Sequence, residues 1–285
     1  MKGIEYYFLI FVIFVFSCRK ERVENSIINV PDEIPSIQEA INRAHDFDTI
    51  LVSRGNFIES LTFYGKHIYL TSFFYRTKDT MDVVNTILSG KGGSVIRFNH
   101  SEDTMSVLDG FTLTNGGGEH EPGDYGGRGG GIYIKMSNPS LKNLIIEKNN
   151  VYYANTQGIG GGIYCDSGSI KATNVKIRKN LCGDNYGGGG VYATNSFVKL
   201  DNCEITHNNS ATRNSRGGLY FSNVQFLIRN SKIEDNTDFA SSLHPDEVVV
   251  DKSVGSMVNT ICNRMSFAGS TIEFYNCIIN GINYP

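Results

Sequence analysis

Tryptophan is missing from this chain, proline appears only six times in 285 residues, and positive charge is nowhere in excess. The last absence bears most on partners. With 26 Lys and Arg against 29 Asp and Glu, scattered rather than striped, no field exists to draw in a phosphate backbone, which excludes nucleic-acid binding. Apolar residues at 40% and charged residues at 19% fit neither a disordered chain nor a multi-pass membrane protein, so a folded soluble body is expected. Six cysteines show no CxxC pairing of the kind a zinc site or redox motif needs. No metal and no cofactor is expected.

What the chain has in quantity is glycine, 31 residues clumped in runs, which points to repeated tight turns. Four segments repeat one another: GGGIYIKMSNPSLKNLIIEKN from Gly129, GGGIYCDSGSIKATNVKIRKN from Gly160, GGGVYATNSFVKLDNCEITHN from Gly188 and RGGLYFSNVQFLIRNSKIEDN from Arg216. Tyr133, Tyr164, Tyr192 and Tyr220 mark them at spacings of 31, 28 and 28, and Ile146, Ile177, Ile205 and Ile233 keep the same spacings. Insertions therefore fall outside the repeated core.

Alternation inside each copy gives the geometry, because residues two apart in a strand share a face. Ile132, Ile163, Val191 and Leu219 point inward, as do Leu141, Ala172, Leu200 and Ile228. Ile145, Lys176, Glu204 and Lys232 form an outward column, and so do the marker tyrosines, read first as a structural stack. Three short strands per copy with one buried face describe a coil. Asparagines hold two turn columns, Asn143, Asn174, Asn202 and Asn230, and Asn149, Asn180, Asn208 and Asn236, where they tolerate a left-handed backbone and can form a ladder. Coils stacked about 4.8 Å apart bury what no single copy could bury alone. Cys203 and Cys277 align with Leu144, Val175 and Ser231, so the thiols read as core.

The expected class is all-β, a right-handed parallel β-helix of three-strand coils with a short N-terminal capping helix. Ser36, three residues before Glu39, begins a capping box, and Ile37, Ala40, Ile41 and Ala44 fall on one side of the helix that follows. That helix lids the open end of the apolar stack. The β-helix is expected over 30–285, with its cap over about 30–50, regular repeats over about 129–236 and irregular coils over 237–285. Asn276-Cys277-x-Ile279 looks like one more turn and strand, which raises truncation of a larger surface protein as an alternative.

Met1 to Cys18 carry Lys2, an apolar run from Tyr6 to Phe16 too short for an ordinary membrane span, and then Ser17-Cys18. This resembles a bacterial lipoprotein signal, with Phe16 where a small residue is usual. The resemblance implies export, lipidation at Cys18, a linker over 19–29 and a place in the cell envelope, at the outer membrane or cell surface, or periplasmic or secreted without the lipid. The body resembles right-handed β-helix repeat proteins of the pectin-lyase-like superfamily, especially surface proteins with GGGIY repeats of the polymorphic outer-membrane type. Ser36-Ile37-Gln38, Asp48-Thr49-Ile50 and Gly55-x-Phe57-x-Glu59 are also similar to the first coil of pectinesterases.

Fold alone does not decide function. Asn236-Thr237-Asp238 mimics one polygalacturonase motif, but the accompanying Asp-Asp, Gly-His-Gly and Arg-x-Lys signatures do not follow, and pectinesterase and calcium-lyase motifs are likewise missing. All four insertions precede the Gly-Gly-x-Tyr strand and should emerge along one edge, gathering Tyr125, Arg128, Tyr152, Tyr153, Asp184, Tyr186, Arg213 and Arg216. Aromatic faces beside polar groups suit glycans, and a long row suits a polymer. His120, between Glu119 and Glu121, reads as solvent-exposed. The reading is a monomeric, non-catalytic surface lipoprotein that contacts polysaccharide or host glycan. A lyase or hydrolase acting through the inserted loops is the alternative.

Overall fold

The computed structural model describes residues 25–120, 126–152, 158–183, 187–211, 217–238 and 247–283. Every strand pairing named among these residues is parallel, and successive turns of chain lie in register above one another as a right-handed parallel β-helix. A ten-stranded sheet forms one face of the coil. A sixteen-stranded sheet contains the other two columns of strands. Tyr133 pairs with Tyr164, Tyr164 with Tyr192 and Tyr192 with Tyr220, as the 31, 28, 28 spacing requires. A fourth column of two-residue strands, Leu181–Cys182, Asn209–Ser210 and Thr237–Asp238, adds to the three expected per coil.

The core is the stack of inward columns. Ile132, Ile163, Val191 and Leu219, then Leu141, Ala172, Leu200 and Ile228, then Ile146, Ile177, Ile205 and Ile233 are all buried, one residue over its equivalent in the next coil. Cys203 lies in this core beside Val175 and Leu144. Burial pushes the Cys165 thiol up to about 12 and the Cys203 thiol to about 11, so neither is a thiolate at neutral pH.

Beside the apolar stack runs a buried ladder. Asn149, Asn180, Asn208 and Asn236 are each at most 2% exposed. Asn149 Nδ2 donates to Asn180 Oδ1 at 3.0 Å, Asn180 to Asn208 at 2.9 Å and Asn208 to Asn236 at 2.9 Å. The same oxygens accept the backbone N–H of the preceding asparagine, and each Nδ2 also donates to a strand carbonyl: Leu113, Ile146, Ile177 and Ile205 in turn. Every amide hydrogen is thus satisfied without water. These asparagines are not the left-handed residues of their corner, contrary to the expectation. That conformation belongs to the residue before each: Lys148, Lys179, His207 and Asp235. Of the two expected columns, it is Asn143, Asn174, Asn202 and Asn230 that combines asparagine with positive φ.

The ladder also explains the glycine pairs. A Cβ on Gly131, Gly162, Gly190 or Gly218 would lie 3.0 to 3.2 Å from the ladder Nδ2 opposite, and within 2.9 Å of a carbonyl of the neighbouring coil or its strand end. Only glycine lets the backbone approach that closely.

At the N-terminal end, α1 (Ile37–Arg43) closes the stack with Ile37, Ala40, Ile41 and Ala44 buried. Ser36 Oγ accepts from the Glu39 N–H, but the reciprocal half of the capping box is filled otherwise. Glu59 accepts from Ser36 Oγ and from the N–H groups of Ile37 and Gln38, while Glu39 pairs with Arg43. The sheet begins at Ile27–Val30, paired with Thr49–Val52, inside the stretch 19–29 expected to be linker. The signal placed over 1–18, with Cys18, lies outside the described residues.

At the far end the coil shortens. The corner bearing the ladder drops out, and the eight-residue strand Ile261–Ala268 runs straight through, pairing with Lys232 and Ile233 at its start and with Val248–Asp251 at its end. This fuses two columns into the sixteen-stranded sheet.

Removing one rung should uncover the ladder's weight. Asn208→Ala strips partners from buried amides on both sides, and unfolding in urea should move by about 3 kcal/mol or more. Asn202→Gly, which keeps a left-handed corner and removes an exposed amide, should cost under about 1 kcal/mol. Equal effects would contradict the ladder's role.

Candidate functional site

Of the eight residues expected along the loop edge, Arg128 and Tyr152 are described; Tyr125, Tyr153, Asp184, Tyr186, Arg213 and Arg216 lie outside the described residues. Arg128 is part of the scaffold. Its guanidinium lies 5.5 Å above the Tyr164 ring, its Nη1 donates to Tyr164 Oη at 3.1 Å, and its backbone pairs with Glu119. The Tyr152 N–H donates to Asn150 Oδ1. Glu119 is turned inward, accepting from the Ser94 N–H and from Arg97, and His120 is exposed.

The tyrosine column does stack, with centroids 5.4, 5.6 and 5.2 Å apart and rings within 15° of parallel. It is less open than an outward column should be. Tyr133 and Tyr164 are buried, and Tyr192 and Tyr220 are half-buried. The motif-like Asn236-Thr237-Asp238 is also accounted for, since Asn236 is the last amide of the buried ladder.

A different corner forms a recess that continues from coil to coil. Asn174 Nδ2 donates to Asn143 Oδ1 at 3.0 Å and Asn202 Nδ2 to Asn174 Oδ1 at 2.7 Å, making an outer ladder beside open solvent. The next link breaks: Asn230 donates to Asp201 instead. Past the Asn143 end of this ladder stand Phe74, Val83 and Val84, and along one side runs the outward column of Lys176, Glu204 and Lys232. Two adjoining recesses of about 490 and 350 Å³ share Asn174, Lys176 and Asn202, so the groove runs along the solenoid axis. Its floor offers amide donors and acceptors at coil spacing, and the wall that closes its end is apolar.

That wall comes from a segment the repeat pattern did not reveal, α2 (Phe74–Thr77) and α3 (Thr80–Asn85). Arg54 holds it through Asp82 at 2.5 Å and Asp79 at 3.0 Å, and Thr112 Oγ1 donates to the Val83 carbonyl. The signal available in sequence was the loss of alternation through Phe73-Phe74-Tyr75 and Met81 to Val84, with Asp79 as a helix cap.

A second recess, of about 440 Å³, lies at the end of the buried ladder among Asp235, Asn236, Thr237, Glu247, Asn263, Arg264, Asn280 and Gly281. Glu247 takes the place of the next asparagine. Its Oε1 accepts the Asn236 N–H at 3.2 Å, while its Oε2 is buried without a hydrogen-bond partner. Burial pushes this carboxyl up to about 7 against the hydrogen bonds from Asn236 and Asn263, and the charge of Asp235 adds to the rise. Among the described residues no group of three or more His, Cys, Asp or Glu is placed to hold a metal ion.

No protein-family model matches the chain, and no curated protein matches it either. Solved structures are similar to it. The pectin methylesterase of Aspergillus niger is 16% identical over 90% of this chain and 85% of its own, with a TM-score of 0.46. The enzymatically active domain of tailspike protein 2 from bacteriophage CBA120 is 12% identical over 90% of this chain and 43% of its own, with a TM-score of 0.42. A pectin methylesterase in complex with a hexasaccharide is 13% identical over 87% of this chain and 80% of its own, with a TM-score of 0.38.

Glu247 makes stability pH-dependent. Folded, it keeps its proton to about pH 7; unfolded, it releases it near 4.5, so the folded chain binds more protons between these values and stability falls as pH rises through that window. Glu247→Gln, which keeps the acceptor, should remove up to roughly 3 kcal/mol of that loss in urea titrations at pH 4 and pH 8. Identical pH dependence in both proteins would refute the assignment.

Proposed function

We propose that this protein is an exported cell-envelope lipoprotein, anchored through Cys18, whose β-helix holds a polysaccharide along the Asn143–Asn174–Asn202 corner without cleaving it. The observation that carries the reading is the axial groove itself. A repeating row of amides matches a repeating polymer, because each coil presents the same donor and acceptor about 4.8 Å after the last. The apolar faces of sugar rings suit a wall of Phe74, Val83 and Val84, and hydroxyls suit the amides and Lys176. Supporting the anchor are Lys2, the short apolar run and Ser17-Cys18.

One observation favours a second reading, hydrolysis: Glu247, an acid titrating at about 7, shares a recess with Asp235, and glycosidases use such carboxylate pairs. Burial of Oε2 weighs against it, since a general acid must reach its substrate.

A combined glycan-array and depolymerisation screen decides between them. Saturable binding without cleavage is expected, weakened about fivefold or more in Asn174→Gly/Asn202→Gly and in Phe74→Ala. Chain cleavage, or groove variants that bind like the parent, would overturn the reading. Mass spectrometry of the membrane-extracted protein should find a lipid on Cys18, and an unmodified cysteine would end the anchoring claim.

A further inference from the structure

The outer corner is occupied, coil by coil, by Gly110, Asn143, Asn174, Asn202 and Asn230, as the strand registers place them. Gly110 is the one position in this series with no side chain. Its φ is +85°, and a Cβ there would lie 2.6 Å from Ser72 Oγ and 3.2 Å from Phe74 Cβ. Thus α2 fills the place where the next amide of the ladder would stand. The ladder is sealed at the same point. Asn143 Nδ2 donates to Asp109 Oδ1 at 2.6 Å, and Tyr69 Oη donates to Asp109 Oδ2 at 2.5 Å, leaving the buried Asp109 carboxylate fully engaged. Burial and this bond both raise the Tyr69 phenol above its ordinary value, so it remains a donor. One coil before Ile145, α3 is pinned across the path by Thr112 Oγ1 on the Val83 carbonyl. In the other direction Asn202, Asn230, Asn259 and Asn276 all remain exposed.

From this asymmetry we propose that the groove receives the end of a linear polysaccharide, not a stretch from its middle; the proposal rests on the glycan reading above. A chain threaded along the amides toward Asn143 meets α2 and α3 and cannot pass beyond them. Its terminal sugar stops with a ring face against Phe74 and Val84, and the following units lie over Asn143, Asn174 and Asn202. From Asn143 to Asn230 the three coil spacings give about 14 Å of floor, the length of a short oligosaccharide. Recognition of this kind counts chain ends, whereas a groove open at both ends counts chain length.

Calorimetric titration with matched chains tests this. The full-length protein is titrated with hexamers of cellulose, laminarin, polygalacturonate and alginate, and with the parent polymers at known mean length. For any glycan that binds, the expected ratio is one protein per chain for hexamer and polymer alike, with the affinity per chain unchanged. A ratio that grows with polymer length overturns end capture while leaving the glycan reading in place. No binding to any member of the panel overturns both.

Discussion

The fold depends on how four buried asparagines satisfy one another. A carboxamide brings two donors and an acceptor into an apolar interior, and left unpaired each would cost about 1–3 kcal/mol. Stacked in register from Asn149 to Asn236, the Oδ1 atoms of Asn180, Asn208 and Asn236 each take the N–H and Nδ2 of the rung before, that of Asn149 takes the Gly116 N–H, and each Nδ2 also reaches a strand carbonyl. A one-residue slip of any coil would break these bonds, so the ladder specifies register as well as stability. It also dictates composition around it. The glycine opposite each rung is required because a Cβ there would fall within 2.9 Å of a carbonyl of the next coil or its strand end, with the ladder amide close beside it, and the tyrosines that follow are then delivered to one column, where they stack.

The same logic, turned outward, shapes the surface. At the neighbouring corner the asparagines carry the left-handed backbone themselves, and their amides face a groove in place of a core. Gly110 and α2 stop this outer ladder at one end. The inner ladder stops at Glu247, where the corner is lost and Ile261–Ala268 runs on as a single strand. One ladder ends in a wall and the other in a carboxyl that burial makes weakly acidic, and the recesses lie at or beside these interruptions.

The repeated portion of this architecture was legible in sequence because parallel stacking places residues 28 or 31 apart directly over one another. Periodicity in Tyr133, Tyr164, Tyr192 and Tyr220 is therefore register itself. Inward and outward columns followed from alternation for the same reason. What escaped was aperiodic. Glu59 caps α1 from more than twenty residues away, Arg54 and Asp82 hold a helix pair that has no counterpart in the repeated coils among the described residues, and Glu247 succeeds Asn236 across an insertion. The difference between the two asparagine columns also escaped, since φ at Lys148 and at Asn149 is set by which residue turns the corner, and the spacing is the same either way. The loop edge was reasoned from the position of insertions, whereas the groove arises where a helix pair crosses a corner that the repeat makes uniform.

If the inner ladder is the spine of the fold, it opens only when the solenoid itself comes apart. Hydrogen exchange under native conditions tests it most directly. The backbone amides of Asn149, Asn180 and Asn208, which donate to ladder oxygens, should exchange together with the strand amides of Ile163 and Val191, among the slowest in the protein. Exchange of the three asparagine amides through local opening, well ahead of those strands, would contradict the account.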